Sequence, residues 1–377
     1  MLPQIIKRYF PTRYRLFLPA LVIAGVLLSF SQVRQILIRD TLTTNHGFSD
    51  RFVDMTKFTA HLNLGSVLNG FSPTLSPQTY TKYNNGSSDE DKLSRKSGLS
   101  DQIENMTIVT AYFDLGSFKK GPSRKFSQKT YINWVKTFRY MKNNLVVYTD
   151  SKVFADMFRN LRKGMEQRTK IVLVERTRFW TFRIHDIIKK IYSQKGYPKH
   201  YPNTVLPAYS CVQHSKYALV VDAINQKYFK TNGYAWLDIG YFRDIVNSKR
   251  SFTLNYPNDF DKHKLAVNLV YPTVSLNISY EKIVYSNQVW VGGGIFLGTA
   301  DIILSFEAQY KRAVMFLLDK QLMSTDQQVI LSMYSIQGRK DVNATVQLQL
   351  YSRRQNETKL KNGNPWFYLG YKCLTFT

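Results

Sequence analysis

Cysteine is nearly missing from this 377-residue chain: there are two, Cys211 and Cys373. That excludes a disulfide scaffold and any Cys-rich zinc module. Histidine is almost as scarce. The six, at positions 46, 61, 185, 200, 214 and 263, show no H-E-x-x-H or other metal spacing. No G-x-S-x-G elbow, no G-K-[ST] phosphate loop and no G-x-G-x-x-G with an acidic ribose partner is present. Hydrolase-triad, zinc, P-loop and dinucleotide readings therefore lack specific support. Acid is in short supply too: 26 Asp+Glu against 52 Lys+Arg leave a formal charge of +26. Such a chain suits anionic partners, but the charge does not say which. Apolar residues, at 44% with 14% aromatics, are plentiful enough for a real core and exclude a mostly disordered basic tail.

One long apolar run stands out, Leu16 to Val33, which carries no charge. As a helix it would span roughly 27 Å, enough for a thin bilayer. Lys7, Arg8, Arg13 and Arg15 precede it; Arg34 and Arg39 follow, partly offset by Asp40. The positive-inside rule then keeps residues 1–15 cytoplasmic and sends the rest to the lumen, behind a single-pass signal anchor at 16–33. A cleaved signal peptide ending near Ser29-Phe30-Ser31 is the alternative, but the run exceeds the usual apolar length of such a peptide. Five N-x-[ST] triplets, at Asn85, Asn105, Asn277, Asn343 and Asn356, accord with a lumenal course. In an oxidising lumen Cys211 and Cys373 could pair. Lumenal placement also demotes nucleic acid as a partner, despite the charge.

Residues 34–101 read as a stem, with Ser72 to Ser100 rich in Ser, Asn, Gly, Pro and Lys. Residues 102–377 are long enough for one large domain. There, short apolar runs alternate with helix-like stretches. Met106–Phe113, Leu145–Tyr148, Ile171–Val174 and Tyr234–Leu237 read as strands. Ile132, Val135, Phe138 and Met141 share a face of a helix over 129–142. Val153, Phe154, Met157, Phe158 and Leu161 mark a second helix, residues 211–225 a third, and Ile303 to Leu317 a fourth. The alternation implies an α/β fold with a mostly parallel sheet, whose ligands bind at the carboxyl ends of the strands.

Four clusters carry candidate chemistry. Trp236-Leu237-Asp238-Ile239-Gly240 ends an apolar strand in a carboxylate. Asp238 there can hold a divalent cation or accept from a ribose hydroxyl; equally it can cap a turn, with Gly240 supplying a positive φ. Gly292, Gly293 and Gly294 permit close approach of backbone to a ligand, or mark a bulge. Ser324-Thr325-Asp326 precedes an apolar helix, so either hydroxyl is a candidate cap with Asp326 in the first turn. Asp326 can also face the crevice as a base or a sugar-hydroxyl acceptor. Finally, Lys119 to Lys199 carries 21 Lys+Arg against 5 Asp+Glu. Arg178, Arg183 and Lys216 are candidates for stabilising a departing diphosphate.

Taken together, TIVTAYFDLG (107–116), NNLVVYTD (143–150), YSCVQHSKYALVVDAI (209–224), YAWLDIGYFRD (234–244), WVGGGIFLGTADIILSF (290–306) and DQQVI (326–330) resemble the HtrL/YibB family, also described as WlaTC/HtrL-type glycosyltransferases. The resemblance implies a GT-A-like nucleotide-sugar transferase fold with a mostly parallel mixed sheet. In such folds a D-x-D at the end of a central strand binds a divalent metal and the donor diphosphate. This chain reads Asp238-Ile239-Gly240, so the second carboxylate is absent, as is the late histidine ligand of many such enzymes. By resemblance Asp238 meets the metal or donor, Gly292 to Gly294 border the sugar, Asp326 lies near the acceptor, and Lys216 reaches the donor's phosphates. The expectation is a type II membrane protein of the endoplasmic reticulum or Golgi. It would move a hexose from a nucleotide sugar to a glycan or glycolipid hydroxyl, with Mn²⁺ or Mg²⁺ as the candidate cation. The alternative is a non-catalytic, membrane-tethered glycan-binding or scaffold protein with the same fold.

Overall fold

A computed structural model describes residues 106–121, 123–353 and 364–377. The predicted tail, anchor and stem, and the triplets at Asn85, Asn105 and Asn356, lie outside the described residues. Asn277 and Asn343 are both exposed. Among the described residues no helix is long and apolar enough to cross a membrane.

The chain opens on β1 (Met106–Tyr112), then a hairpin of β2 (Phe118–Lys120) and β3 (Arg124–Phe126), then α1 (Gln128–Trp134). Next come β4 (Asn144–Thr149), α2 (Lys152–Leu161), β5 (Thr169–Leu173), α3 (Trp180–Arg183), α4 (His185–Ser193) and the long α5 (Pro207–Gln226). There follow β6 (Gly233–Leu237), β7 (Phe252–Leu254), β8 (Leu265–Leu269), α6 (Tyr280–Tyr285), β9 (Val291–Thr299) and α7 (Ala300–Asp319). Last are α8 (Asp326–Tyr334), α9 (Ile336–Asp341), β10 (Leu348–Tyr351), α10 (Tyr368–Cys373) and β11 (Leu374–Phe376).

Seven strands form one sheet in the order β10-β8-β9-β6-β1-β4-β5. Six are mutually parallel; β9 alone runs against both its neighbours, β6 and β8. The α/β reading with a mostly parallel mixed sheet therefore holds. Successive side chains point to opposite faces of a strand, and both faces here are covered. Val109, Val146, Tyr148 and Trp236 join one core with α5, α7 and α8. Ile108, Leu145, Val147 and Leu237 join the other with α2, α10 and β7. Two-sided burial explains why these strands read as continuous apolar runs rather than alternating ones.

Four sequence expectations need correcting. The predicted helix over 129–142 is α1 followed by a 3₁₀ segment, Val135–Arg139. Its apolar residues recur every three positions, the period of a 3₁₀ turn, so Val135 and Phe138 bury on one side. In α2, Phe154, Ala155 and Phe158 face the core, while Val153 is 58% exposed. Cys211 and Cys373 are unpaired: they belong to the cores on opposite faces of the sheet. Gly240 is not among the residues of positive φ, for a reason given below.

Candidate active site

Beyond Leu237 the chain leaves β6, the middle strand of the sheet, at its carboxyl end. Such edges are where ligands sit in parallel sheets. Asp238 is the first residue past the strand, and its amide donates to the Gly294 carbonyl at 2.9 Å. Because β9 is reversed, its beginning rather than its end lies at this edge, which brings Gly293 and Gly294 beside Asp238. Residues two apart on a strand share a face, so Trp236 reaches Asp238: its indole Nε1 donates to Oδ1 at 2.7 Å. The side chain of Asp238 is 41% exposed, and among the described residues its other oxygen takes no hydrogen bond.

The same edge receives Lys216 from the middle of α5 and Asp326 from the first position of α8. Thr325 is the N-cap of α8 and forms a capping box with Gln328, so the cap reading is correct. It directs Asp326 to the positive end of the helix. Lys216 Nζ donates to the Gly293 carbonyl at 2.8 Å and to Asp326 Oδ2 at 3.1 Å, and lies 3.3 Å from Asp238 Oδ1. Both Lys216 and Asp326 are almost fully buried. Burial disfavours the Lys216 ammonium, but Asp238 and Asp326 outweigh it and hold the group above the ordinary lysine range. Burial raises the Asp326 carboxyl, against the opposing pull of Lys216. Gly293 is indispensable to this packing: a Cβ there would lie 2.0 Å from Asp326 Oδ2.

These groups form the floor of a cleft of about 1130 Å³. One wall is aromatic. Phe126 lies 5.6 Å from Trp134, Tyr131 5.4 Å from Trp134, and Phe118 5.4 Å from Tyr209, centroid to centroid. Exposed cations line the same cleft: Lys120 and Arg124 from the β2–β3 hairpin, and Arg243 over the rings of Phe367 (4.6 Å) and Trp134 (5.6 Å). Trp134 also explains Gly240. A Cβ at that position would stand 2.5 Å from the indole Cε3, so what the position requires is space for a ring.

A family model described as "Bacterial protein of unknown function (HtrL_YibB)" matches residues 104–342. The chain belongs to the HtrL/YibB family. No curated protein matches it.

For this HtrL/YibB chain, the structure brings together Asp238, Gly240, Lys216, Gly293, Gly294 and Asp326, all lining one cleft. Three expectations of placement are corrected. Arg178 pairs with Asp222 at 2.7 Å and does not line the cleft. Arg183 ends α3 on an exposed surface, also outside the lining. Gly292 packs toward Val270 rather than into the cleft. Lys216 lies on the cleft floor as expected, with hydrogen bonds to the Gly293 carbonyl and Asp326 and an ion pair with Asp238. Sequence reasoning missed the aromatic wall and its cations. The signal was present in FKKGPSRKF (118–126), which repeats an apolar-basic-basic triplet in mirror order about a Gly-Pro turn.

Proposed function

We propose that this protein is a glycosyltransferase that moves a hexose from a nucleotide sugar to a glycan or glycolipid hydroxyl. The observation that carries the reading is Asp238. It is a fixed carboxylate at the carboxyl edge of the middle strand, with one oxygen held by Trp236 and the other open to a cleft that cations line. A mixed sheet compatible with the GT-A-like expectation supports it. So does size, because ligand pockets commonly run about 300–1,000 Å³ and this cleft exceeds that range. An acceptor O–H is matched by the open carboxylate oxygen, and a departing diphosphate by Lys120, Arg124 and Arg243. Aromatic faces suit a base or a sugar ring. Asp326, nearly fully buried at the cleft floor, holds Lys216 in this reading and lies beside the acceptor place. The anchor at 16–33 and residence in the endoplasmic reticulum or Golgi membrane complete the proposal.

The second reading, a glycan-binding protein without turnover, is favoured by one observation: a second carboxylate at position 240 is sterically excluded by Trp134. A thermal-shift panel of nucleotides and nucleotide sugars on the full-length protein separates the two. A ligand that binds only the native state raises its apparent stability. Stabilisation by a nucleotide, followed by turnover or hydrolysis of its sugar conjugate, supports the transferase. Glycan binding with no nucleotide binding overturns it.

A further inference from the structure

We propose that Lys216 is the resident cation of this site and stands where a divalent metal would otherwise be held. This inference concerns the charge at the floor of the cleft and holds for whatever ligand the cleft takes.

Three oxygens converge on one point: Asp238 Oδ1, Asp326 Oδ2 and the Gly293 carbonyl. They come from a strand end, a helix start and a reversed strand, so they are brought together by the fold and not by sequence proximity. Two carboxylates and a carbonyl make an all-oxygen set of the kind hard divalent cations take. The point is occupied by the Lys216 ammonium, at 3.3, 3.1 and 2.8 Å respectively. An ammonium has three donors and no acceptor; here two of the oxygens accept hydrogen bonds from it and the third, on Asp238, is an ion-pair partner. Two carboxylates this close cannot both ionise without a neighbouring cation, and the side chains of Lys216 and Asp326 are only 3% and 2% exposed.

The surroundings do not fit a metal in addition. The place of a second carboxylate beyond Asp238 is filled by the Trp134 ring. Among the described residues no three His, Cys, Asp or Glu side chains converge as a metal site. Asp238 Oδ1 is already shared between the indole of Trp236 and the ammonium. A divalent ion would have to expel a buried ammonium from between its counter-ions. The division of labour follows: Lys216 fixes the two carboxylates, the open oxygen of Asp238 faces ligand hydroxyls, and the exposed cations of the cleft meet anionic groups. Lys216 is thus a positioning residue and touches no substrate.

The test titrates Mn²⁺ into the full-length protein, with and without UDP, and counts bound ion by electron paramagnetic resonance. The expected result is no stoichiometric Mn²⁺ on the wild type in either condition. Lys216→Ala, which empties the point and leaves its oxygens, is expected to take up one Mn²⁺ per chain and to gain thermal stability with it. The double variant Lys216→Ala/Asp326→Asn is expected to lose that ion. One Mn²⁺ on the wild type that disappears in Asp238→Asn overturns the proposal. So does a folded Lys216→Ala that binds none. Should Lys216→Ala not fold, Lys216→Gln keeps the stem without the charge and is read by the same two outcomes. Because Mn²⁺ is counted directly, failure here is distinct from failure of the transferase reading, which rests on nucleotide-sugar turnover.

Discussion

Gly293 carries the site through an atom it lacks. It lies in β9 between Gly292, paired with Asn268 of β8, and Gly294, whose carbonyl accepts from the Asp238 amide, where the β8–β9 register shifts. Gly293→Ala drives a methyl onto a buried carboxylate and must displace Asp326 or Lys216. Overpacking of this sort typically costs about 1–3 kcal/mol. Denaturant unfolding of Gly293→Ala is expected to show a loss of that size, together with loss of nucleotide-sugar binding. Asp238 is the contrasting residue, because it is half exposed and its open oxygen faces the cleft. Asp238→Asn keeps the shape and removes the charge. The expected outcome is a fall in transfer rate of about 100- to 1,000-fold, the usual scale for losing one preorganised electrostatic contact, with a lowered melting temperature because the buried Lys216 ammonium loses one of its two counter-ions. If purified Asp238→Asn transfers sugar at the wild-type rate, the site is wrongly placed. Asp238 was legible in the sequence because a carboxylate ending an apolar strand is a local pattern. The Lys216 contact was not, because it joins residues 216, 238, 293 and 326, whose proximity only the packed sheet creates.

At the scale of elements, α5 is the helix on which most depends. It is buried on most sides, and its polar residues are therefore held by specific partners: Lys216 by the carboxylates, and His214 by the Tyr310 hydroxyl, 2.6 Å from Nδ1. Burial, assisted by Lys216, lowers the His214 pKa to about 3. The sign is fixed by linkage. The unfolded chain, with histidine near 6.5, binds this proton and the folded one refuses it, so stability is complete above about pH 6.5. It is lost as the pH falls from there toward 3, at up to about 1.4 kcal/mol per pH unit for this one group. His214→Gln is expected to flatten the fall in melting temperature between pH 6.5 and 4; an unchanged slope would show that other groups set it. The positions of the elements were largely readable, since β1, β4, β5, β6, α5 and α7 each present a strong local pattern. Boundaries and exceptions were not. The three-residue spacing of Ile132, Val135 and Phe138 was the mark of a 3₁₀ turn, and β8 lay unread in LAVNL (265–269), a run too short to separate strand from helix by periodicity. Val153 looked like core because its neighbours are apolar, yet the helix turns it to water.

For the whole molecule, the surplus of positive charge sorts into two kinds. Lys216 and Arg162 are buried and satisfied; Arg162 donates to the carbonyls of Phe138, Met141 and Asn143 and to Thr169. Lys120, Arg124 and Arg243 are exposed at the cleft and are screened by salt over a Debye length of about 10 Å at 0.1 M. Affinity for whichever nucleotide the thermal-shift panel identifies is accordingly expected to weaken several-fold between low and high salt, while the melting temperature of the unliganded protein changes little. Isothermal titration across a salt series checks this, and a salt-independent affinity would remove the exposed cations from the binding account. Composition gave the total charge, and the alternation of apolar runs with helix-like stretches gave the class of fold. The strand order was beyond it, since nothing local in β9 announces that it will insert, reversed, between β6 and β8.

That insertion also sets a condition on how the protein can be made. Within the main sheet, β8 and β10 are joined to the other four parallel strands only through β9. While the ribosome is still upstream of Val291, β6 and β8 each have a bare edge, and bare edges invite pairing with other chains. A message cut short between Leu269 and Val291 would yield a product with the β6-β1-β4-β5 part of the sheet and β8 unattached to it. Such a product is a client for chaperones and proteases rather than a weakened form of the protein, so nonsense alleles in this interval should behave as nulls.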